Sequence, residues 1–261
     1  METEKITILP GRDKKGNKEY FDKLEILAGQ KIGIVGSTGS GKSQLLYDIE
    51  RLAQGNTKTK RKVLINDRIP PAEFRHDATK KIIGYLTQHM NFITDTTVKD
   101  FLEIHLDARG KSHKKHLVEE IIESANKVTG EPIAPEENLL ILSGGQSRAL
   151  MVADLAYVSD SPIILIDEIE NAGIRKEKAL ELLSKKGKIV FLVTHDPRLA
   201  LNTDKRLVMK SGAITQIIHT SIKERGIAHY LSWIEEYILE VREDIRIGKR
   251  IEELKLICTP M

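Results

Sequence analysis

The chain has 261 residues, of which 40% are hydrophobic and 30% are charged, a balance typical of a folded domain and not of a disordered chain. A formal net charge of +3 and an aromatic content of 5% disfavour nucleic acid as a partner, and no apolar run approaches the roughly 20 residues that a membrane span needs. The start of the chain is charged and lacks an apolar signal core, and the single cysteine, Cys258, excludes an intrachain disulfide, so we expect a cytoplasmic protein. Two short basic runs, at residues 58–62 and 111–116, are more typical of solvated loops or helix faces than of a nucleic-acid or lipid patch.

Short apolar runs alternate with helical patterns along the chain, which predicts an α/β fold with a mainly parallel sheet. The strand signal disappears between residues 97 and 142, where helices are predicted, so we expect a helical insertion between the two halves of one sheet. A turn at residues 210–213 joins the last two strands into a hairpin. The predicted strands are residues 31–35, 63–66, 82–86, 163–166, 189–193, 206–209 and 214–218, and the predicted helices include residues 97–107, 116–128 and 147–158.

A phosphate-binding pattern, G-x-x-x-x-G-K-[ST], is matched by Gly36-Ser37-Thr38-Gly39-Ser40-Gly41-Lys42-Ser43. The match lies between a predicted strand and a predicted helix, as its chemistry requires. Glycines let successive backbone N–H groups point at phosphate, and the helix N-terminus adds partial positive charge. We expect Lys42 to reach the β- and γ-phosphates and the Ser43 hydroxyl to ligate Mg²⁺.

Two carboxylates, Asp167 and Glu168, follow the apolar run at residues 163–166. The C-terminal end of a parallel strand would place both acids beside the bound phosphates. Asp167 is suited to the Mg²⁺ shell, through water, and Glu168 is placed to polarise an attacking water. Alone, this pattern is as typical of a simple strand end, but its position after the phosphate loop favours the functional interpretation.

Like the phosphate loop, a second glycine-rich segment can form a nest, a short stretch of backbone whose successive N–H groups bind an anion. This segment is Leu142-Ser143-Gly144-Gly145-Gln146, immediately before a predicted helix. The two nests of one chain cannot easily reach the same γ-phosphate. Dimerisation resolves this difficulty, because each nest can then close on the nucleotide of the partner.

Together, the phosphate loop, the paired acids and the pentapeptide at residues 142–146 resemble the ATP-binding-cassette (ABC) ATPase family, over roughly residues 3–219. The resemblance implies a P-loop ABC ATPase domain at residues 1–219, with a mainly parallel core sheet, an antiparallel N-terminal β region and a helical insertion at about residues 89–158. It implies binding and hydrolysis of Mg-ATP by a sandwich homodimer, in which Ser143, Gly144, Gly145 and Gln146 contact the partner's nucleotide.

The order of motifs in the family also implies a glutamine before the pentapeptide and a histidine after the strand that follows the acids. Gln88 and His195 occupy these positions. By resemblance, Gln88 completes the Mg²⁺ shell and senses what docks on the helical insertion, while His195 contacts the γ-phosphate and holds the attacking water with Glu168. As isolated residues, both would more often be structural, and only their register with the other motifs favours these roles.

Three positions depart from the family pattern. Relatives place an adenine-stacking aromatic in the N-terminal segment, where residues 8–12 have none, so Tyr20 and Phe21 are the candidates to replace it. Ile174 stands where the loop after the acids usually carries aspartate, which predicts looser coupling between the two sites. Asp154 stands where relatives commonly have arginine.

Residues 220–261 are expected to form a C-terminal helical extension. An apolar stripe with a 4-3-4-3-4 spacing, typical of one helix face, is formed by Ile227, Leu231, Ile234, Ile238, Val241 and Ile245. The stripe can pack on its own domain or contact a partner, and the spacing does not decide between them.

Two functions remain compatible with this sequence. The chain can be the nucleotide-binding subunit of an ABC transporter, peripheral at the inner face of the membrane through separate membrane-spanning subunits. Alternatively, it can be a soluble ABC ATPase that remodels or activates a protein complex such as a metalloenzyme. The single cassette and the helical insertion favour the first, whereas Ile174, the missing aromatic and the C-terminal helix favour the second.

Overall fold

The computed structural model describes residues 3–76, 80–87, 90–114, 116–167, 174–185 and 187–251. The strands are β1 (Lys5–Leu9), β2 (Leu24–Leu27), β3 (Lys31–Val35), β4 (Lys62–Ile65), β5 (Ile83–Leu86), β6 (Ile163–Asp167), β7 (Ile189–Val193), β8 (Lys205–Lys210) and β9 (Ala213–His219). The helices are α1 (Lys42–Glu50), α2 (Glu73–His76), α3 (Val98–Ala108), α4 (Leu117–Val128), α5 (Gly144–Tyr157), α6 (Lys176–Lys185), α7 (Pro197–Leu201) and α8 (Ile222–Arg246), with short 3-10 turns at Ser112–Lys114 and Leu139–Ile141.

The central sheet has the strand order β5-β6-β7-β3-β8-β9. Its strands are parallel except β9, which returns antiparallel to β8 with a bulge between Val208 and Met209. β6 and β7 are continuous apolar runs because helices cover both faces of a parallel sheet. The predicted parallel core and closing hairpin are confirmed.

A second sheet has the order β2-β1-β4 and is antiparallel. In β1, Ile6 pairs with Ile26 of β2 and with Ile65 of β4, and all three side chains are buried. The antiparallel N-terminal β region is therefore confirmed. The predicted strand at residues 63–66 ends one residue earlier, because Asn66 and Asp67 turn the chain with φ values of 49° and 58°.

The helical insertion between β5 and β6 contains α3, α4 and α5. Thr97 caps α3 by accepting a hydrogen bond from the backbone N–H of Asp100 at 3.1 Å. This cap explains why the helix begins at the next residue, Val98. The third helix begins at Gly144 and not at the expected residue 147, because Ser143 and Gln146 form a capping box that extends it. An apolar cluster joins these helices to α6 and to one face of β6 and β7.

α8 is a helix of 25 residues that begins at its own capping box, formed by Ser221 and Glu224. Among its residues only Ala228 is fully buried. In the predicted stripe, Ile227, Ile238 and Ile245 are 52%, 44% and 60% exposed, and the remaining three positions are half-buried. No helix in the described part of the chain is long and apolar enough to cross a membrane.

Candidate nucleotide-binding site

The carboxyl ends of neighbouring strands bring the predicted site residues to one edge of the central sheet. Val193, the last residue of β7, pairs with Ile34 of β3 on one side and with Asp167 of β6 on the other. The phosphate loop after β3, the His195 segment after β7 and the acid that ends β6 therefore lie side by side. In a parallel sheet this edge is where ligands bind.

The phosphate loop depends on glycine at its two ends. Gly36 and Gly41 have φ values of 151° and 106°, which side chains rarely adopt. A Cβ on Gly36 would lie 2.5 Å from the carbonyl oxygen of Met209, and a Cβ on Gly41 would lie 2.7 Å from Cα of Gly212. The loop is thus packed against the β8–β9 turn, and this contact leaves no room for larger residues.

Polar groups of this loop are arranged for an anion. Lys42 is only 7% exposed, and its ammonium donates to the backbone oxygens of Gly36 and Ser37 at 2.8 and 3.3 Å, so it lies directly across the loop. Ser40 is buried, and its hydroxyl has no hydrogen-bond partner among the described residues. Buried polar groups are normally satisfied, so an orphaned hydroxyl in a glycine cradle fits a loop that receives phosphate oxygens.

Asp167 is positioned next to Tyr85 of the adjacent strand. The Tyr85 hydroxyl donates to Oδ2 of Asp167 at 3.4 Å. Burial, together with the charge of Asp167, raises the pKa of Tyr85 to about 12, so this phenol stays a donor. The oxygen donors available here, the Asp167 carboxylate and the exposed Ser43 hydroxyl, are the type that Mg²⁺ prefers.

His195 is exposed immediately beyond β7. The preceding residue, Thr194, bonds through its backbone N–H to the oxygen of Ile34 at 3.3 Å, which holds this segment against the base of the phosphate loop. Two predicted residues, Gln88 and Glu168, lie outside the described residues; β5 ends at Leu86, two residues before Gln88, and β6 ends at Asp167, immediately before Glu168.

The second nest is built separately, in the helical insertion. Ser143 accepts from the backbone N–H of Gln146 at 3.2 Å, while the Gln146 side chain accepts from the backbone N–H of Ser143 at 2.9 Å. Gln146 also donates to the oxygen of Pro132 at 2.9 Å. A Cβ on Gly144 would meet nothing within 4 Å. The start of α5 therefore presents an open surface that is accessible to a group from outside this chain.

A buried ion cluster lies behind the phosphate loop, and the sequence pattern did not reveal it. Arg61, expected in a solvated basic run, is fully buried, so that expectation is wrong at this residue. Its guanidinium contacts Glu19 at 2.6 Å and Asp48 at 2.9 Å, and it donates to the oxygen of Gly212 at 2.7 Å. The pairing explains how a charged side chain can occupy the interior.

This cluster ties several segments to the nucleotide site. Asp48 belongs to α1, which begins with the phosphate-loop lysine, and Glu19 closes the N-terminal loop by accepting from the backbone N–H of Gly11 at 2.7 Å. Lys14 of the same N-terminal loop donates to the oxygen of Gly39 at 2.9 Å. The N-terminal loop is therefore fixed against the phosphate loop. Tyr20 beyond it is 97% exposed, whereas Phe21 packs on the core.

The other two departures from the family pattern have structural explanations. Ile174 is 8% exposed and packs in the helical core, with its backbone bridged to Thr129, so an apolar residue suits this position. Asp154 of α5 contacts Nδ1 of His105 of α3 at 2.8 Å, which links two helices of the insertion.

A parallel sheet with a glycine-rich phosphate loop after one strand, a helix starting at its lysine and an acid ending a nearby strand defines the class of P-loop nucleoside triphosphatases. The particular family follows from comparison with known proteins. The model of the ABC transporter family matches residues 22–171, more than half of the chain. The chain belongs to this family and is an ABC-type ATP hydrolase.

Several relatives show how far this similarity extends. The chain is 51% identical to an uncharacterised ABC transporter ATP-binding protein of Methanocaldococcus jannaschii, over 98% of this chain and 99% of that protein. It is 30% identical to a methionine import ATP-binding protein of Shouchella clausii, over 78% of this chain and 61% of that protein. Among solved structures, a dimeric bacterial ABC transporter cassette matches with a TM-score of 0.63 and 26% identity, over 83% of this chain and 99% of that chain.

Proposed function

We propose that this chain is the nucleotide-binding subunit of an ABC transporter, and that two copies sandwich two Mg-ATP molecules and hydrolyse them. The observation that carries the proposal is the convergence of the phosphate loop, Asp167 and the His195 segment at one sheet edge, on the adjacent strands β3, β6 and β7. The transporter role is supported by the relatives, which include an import ATP-binding protein. We also propose the division into an ABC domain at residues 1–219 and an extension at residues 220–261.

In this proposal the loop at residues 36–43 binds the phosphates. Lys42 exchanges its two backbone acceptors, Gly36 and Ser37, for the β- and γ-phosphate oxygens. The hydroxyl of Ser40, which has no partner among the described residues, is available to a phosphate oxygen. Ser43, Asp167 and Gln88 would hold Mg²⁺, which when bound neutralises charge on the phosphates.

Water activation is assigned to the residues that follow β6 and β7. Glu168 accepts the proton of the attacking water as general base. His195 holds this water and the γ-phosphate from the neighbouring strand end. The nest at residues 143–146, open to the outside in one chain, closes the site from the partner copy.

A pair of variants tests the ATPase proposal. Glu168→Gln should retain ATP binding, turn over about 10²–10⁴-fold more slowly as expected for loss of a general base, and accumulate an ATP-dependent dimer in gel filtration. Lys42→Ala should bind no ATP and stay monomeric, because the loop loses its buried cation. A wild-type rate in Glu168→Gln, or full ATP affinity in Lys42→Ala, would contradict the assignments.

The exposed apolar residues of α8 favour a second candidate, a soluble ABC ATPase that acts on a protein complex. Cross-linking separates the two. Cys258, the single cysteine, is first replaced by serine, and a cysteine is then placed at exposed Thr87, beside Gln88. Lys23→Cys, at the residue immediately before β2 of the N-terminal sheet, is the control. A transporter subunit should cross-link from position 87 to a protein that stays in washed membranes. A cross-link only to a soluble protein would favour the second candidate.

A further inference from the structure

The C-terminal helix α8 makes polar contacts with α7, the short helix that follows the His195 segment. Arg198 of α7 is the centre of these contacts, with its side chain only 12% exposed. One guanidinium nitrogen, Nη2, lies 2.7 Å from Glu235 of α8 and 3.2 Å from Asp196, the residue after His195. A single arginine therefore connects α8 to the neighbour of the proposed γ-phosphate histidine.

The same contacts reach the start of α6, which follows the paired acids in the chain. Ser232 of α8 donates to Oε1 of Glu177 at 2.5 Å, and Nη1 of Arg198 lies 3.7 Å from the same oxygen. Lys176 contacts Oδ2 of Asp196 at 3.1 Å. α8 is thus bonded both to the segment after β7 and to α6, the helix that follows Asp167, the last residue of β6, in the chain.

Two further ion pairs of α8 lie at its first turn and join it to the N-terminal end of β8, opposite the sheet edge that carries the site. Glu224 pairs with Arg206 of β8, and Arg225 pairs with Asp204 at 2.8 Å. These pairs hold the beginning of the helix on the edge of the central sheet. Ser232 and Glu235, two turns further on, can therefore transmit a displacement of the later part of α8 to the site while its first turn stays attached.

We propose that Glu235 and Ser232 are positioning residues for ATP hydrolysis, which act through Arg198 and Asp196 to hold His195 in its productive place. The inference rests on the proposed role of His195. A displacement of α8 then slows the hydrolytic step without weakening nucleotide binding, since the phosphate loop is anchored independently through Arg61. A contact on the exposed apolar part of α8 that displaces this helix would therefore change the rate of ATP hydrolysis.

The test compares kcat with ATP affinity in Glu235→Gln and Ser232→Ala, with the exposed neighbour Glu236→Gln as matched control. Both test variants should lower kcat about 3- to 10-fold, the range for a coupling mutation, and leave the Kd for ATP within about twofold of wild type. Glu235→Asp, which keeps the charge, should recover most of the rate. Wild-type kcat in both test variants, or an equal loss in Glu236→Gln, would overturn the proposal.

A double variant distinguishes this route from general destabilisation. In a His195→Ala background, measured in single-turnover experiments, adding Glu235→Gln should cause no further loss of rate, because the residue it positions is gone. An additive loss would show that Glu235 acts elsewhere and would overturn the inference. If His195→Ala alone retains the wild-type rate, the role of His195 in the proposed function fails instead.

Discussion

Arg61 and Glu19 form a two-point ion pair in the interior, with Nη2–Oε1 at 2.6 Å and Nε–Oε2 at 3.0 Å. Both side chains are fully shielded from solvent, and Asp48 occupies the third side of the guanidinium. Glu19 also accepts from the backbone N–H of Ile214 at 2.6 Å, so the pair connects the N-terminal loop with β9. This buried cluster therefore stabilises the phosphate loop from the side of the protein interior.

Replacing Arg61 with methionine should therefore destabilise the protein strongly. Methionine fills much of the volume but leaves Glu19 and Asp48 as buried carboxylates without a cation, and breaking a buried pair in this way costs about 3–5 kcal/mol. Urea denaturation measures the loss in unfolding free energy. Lys58→Met, at an exposed position of the same basic run, is the control and should change it by less than about 0.5 kcal/mol. Similar losses of unfolding free energy in both variants would mean that the ion cluster makes no net contribution to stability.

Gly41→Ala should weaken ATP binding much more than Gly39→Ala. Both glycines have positive φ values, 106° and 75°, so both substitutions carry the backbone strain of about 1–2 kcal/mol. Only at Gly41 would the new Cβ collide with Gly212, at 2.7 Å, whereas at Gly39 it meets nothing within 4 Å. Calorimetric titration with ATP compares the two. Equal losses of affinity would show that strain, and not the packing against the β8–β9 turn, controls the loop.

The sequence was sufficient to predict the phosphate loop because its chemistry requires a strand, a glycine turn and a helix in register, and all three occur where expected. It could not predict the burial of Arg61, since the partners Glu19 and Asp48 are 42 and 13 residues away along the chain. Likewise, the role of Asp154 depends on His105, which is 49 residues away. For α8 the apolar spacing was visible, but the ion pairs and side-chain hydrogen bonds that attach it are made by residues outside the stripe.

The charge of Asp196 should contribute to stability at neutral pH and be lost in acid. Burial alone would raise the pKa of this carboxyl, but the hydrogen bonds from Arg198 and Lys176 outweigh burial and lower the pKa below its ordinary value of 3.8. A carboxyl with a lowered pKa in the folded state stabilises the fold fully above its unfolded pKa, and loses this contribution as the pH falls through the folded value.

Asp196→Asn isolates that contribution. Asparagine retains an N-cap acceptor for the backbone N–H of Arg198, which Asp196 now holds at 2.9 Å, and removes the charge together with the Oδ2 acceptor of the Arg198 and Lys176 side chains. The difference in unfolding free energy between wild type and variant should be largest at neutral pH and should shrink as the pH is lowered below 3.8. A difference that grows in acid would have the wrong sign and would contradict the ionised pairing.

A mixture of two inactive variants can show whether the nest at residues 143–146 acts on the nucleotide of the partner copy. Gly145→Asp should leave ATP binding in the monomer nearly intact, because in one chain this helix start faces outward. The added carboxylate would face the γ-phosphate in the closed dimer. Like charges at close range repel by several kcal/mol in an interface from which water is excluded. Dimer closure and hydrolysis should therefore fail together, whereas Lys42→Ala fails at ATP binding.

When Lys42→Ala and Gly145→Asp chains are combined, the heterodimer has one site with both lesions and one site with neither. Measurable ATPase activity should return in the mixture, provided one intact site can act without the other. The apolar, buried side chain of Ile174 favours that independence, because it packs into its own helical core and carries no carboxylate toward a partner. Activity is followed by phosphate release as a function of mixing ratio, with each variant measured alone as control. A verified heterodimer that stays inactive would mean that the nest acts within its own chain or that the two sites are tightly coupled. A normal ATP-dependent dimer of Gly145→Asp alone would count directly against any role of this nest in closure.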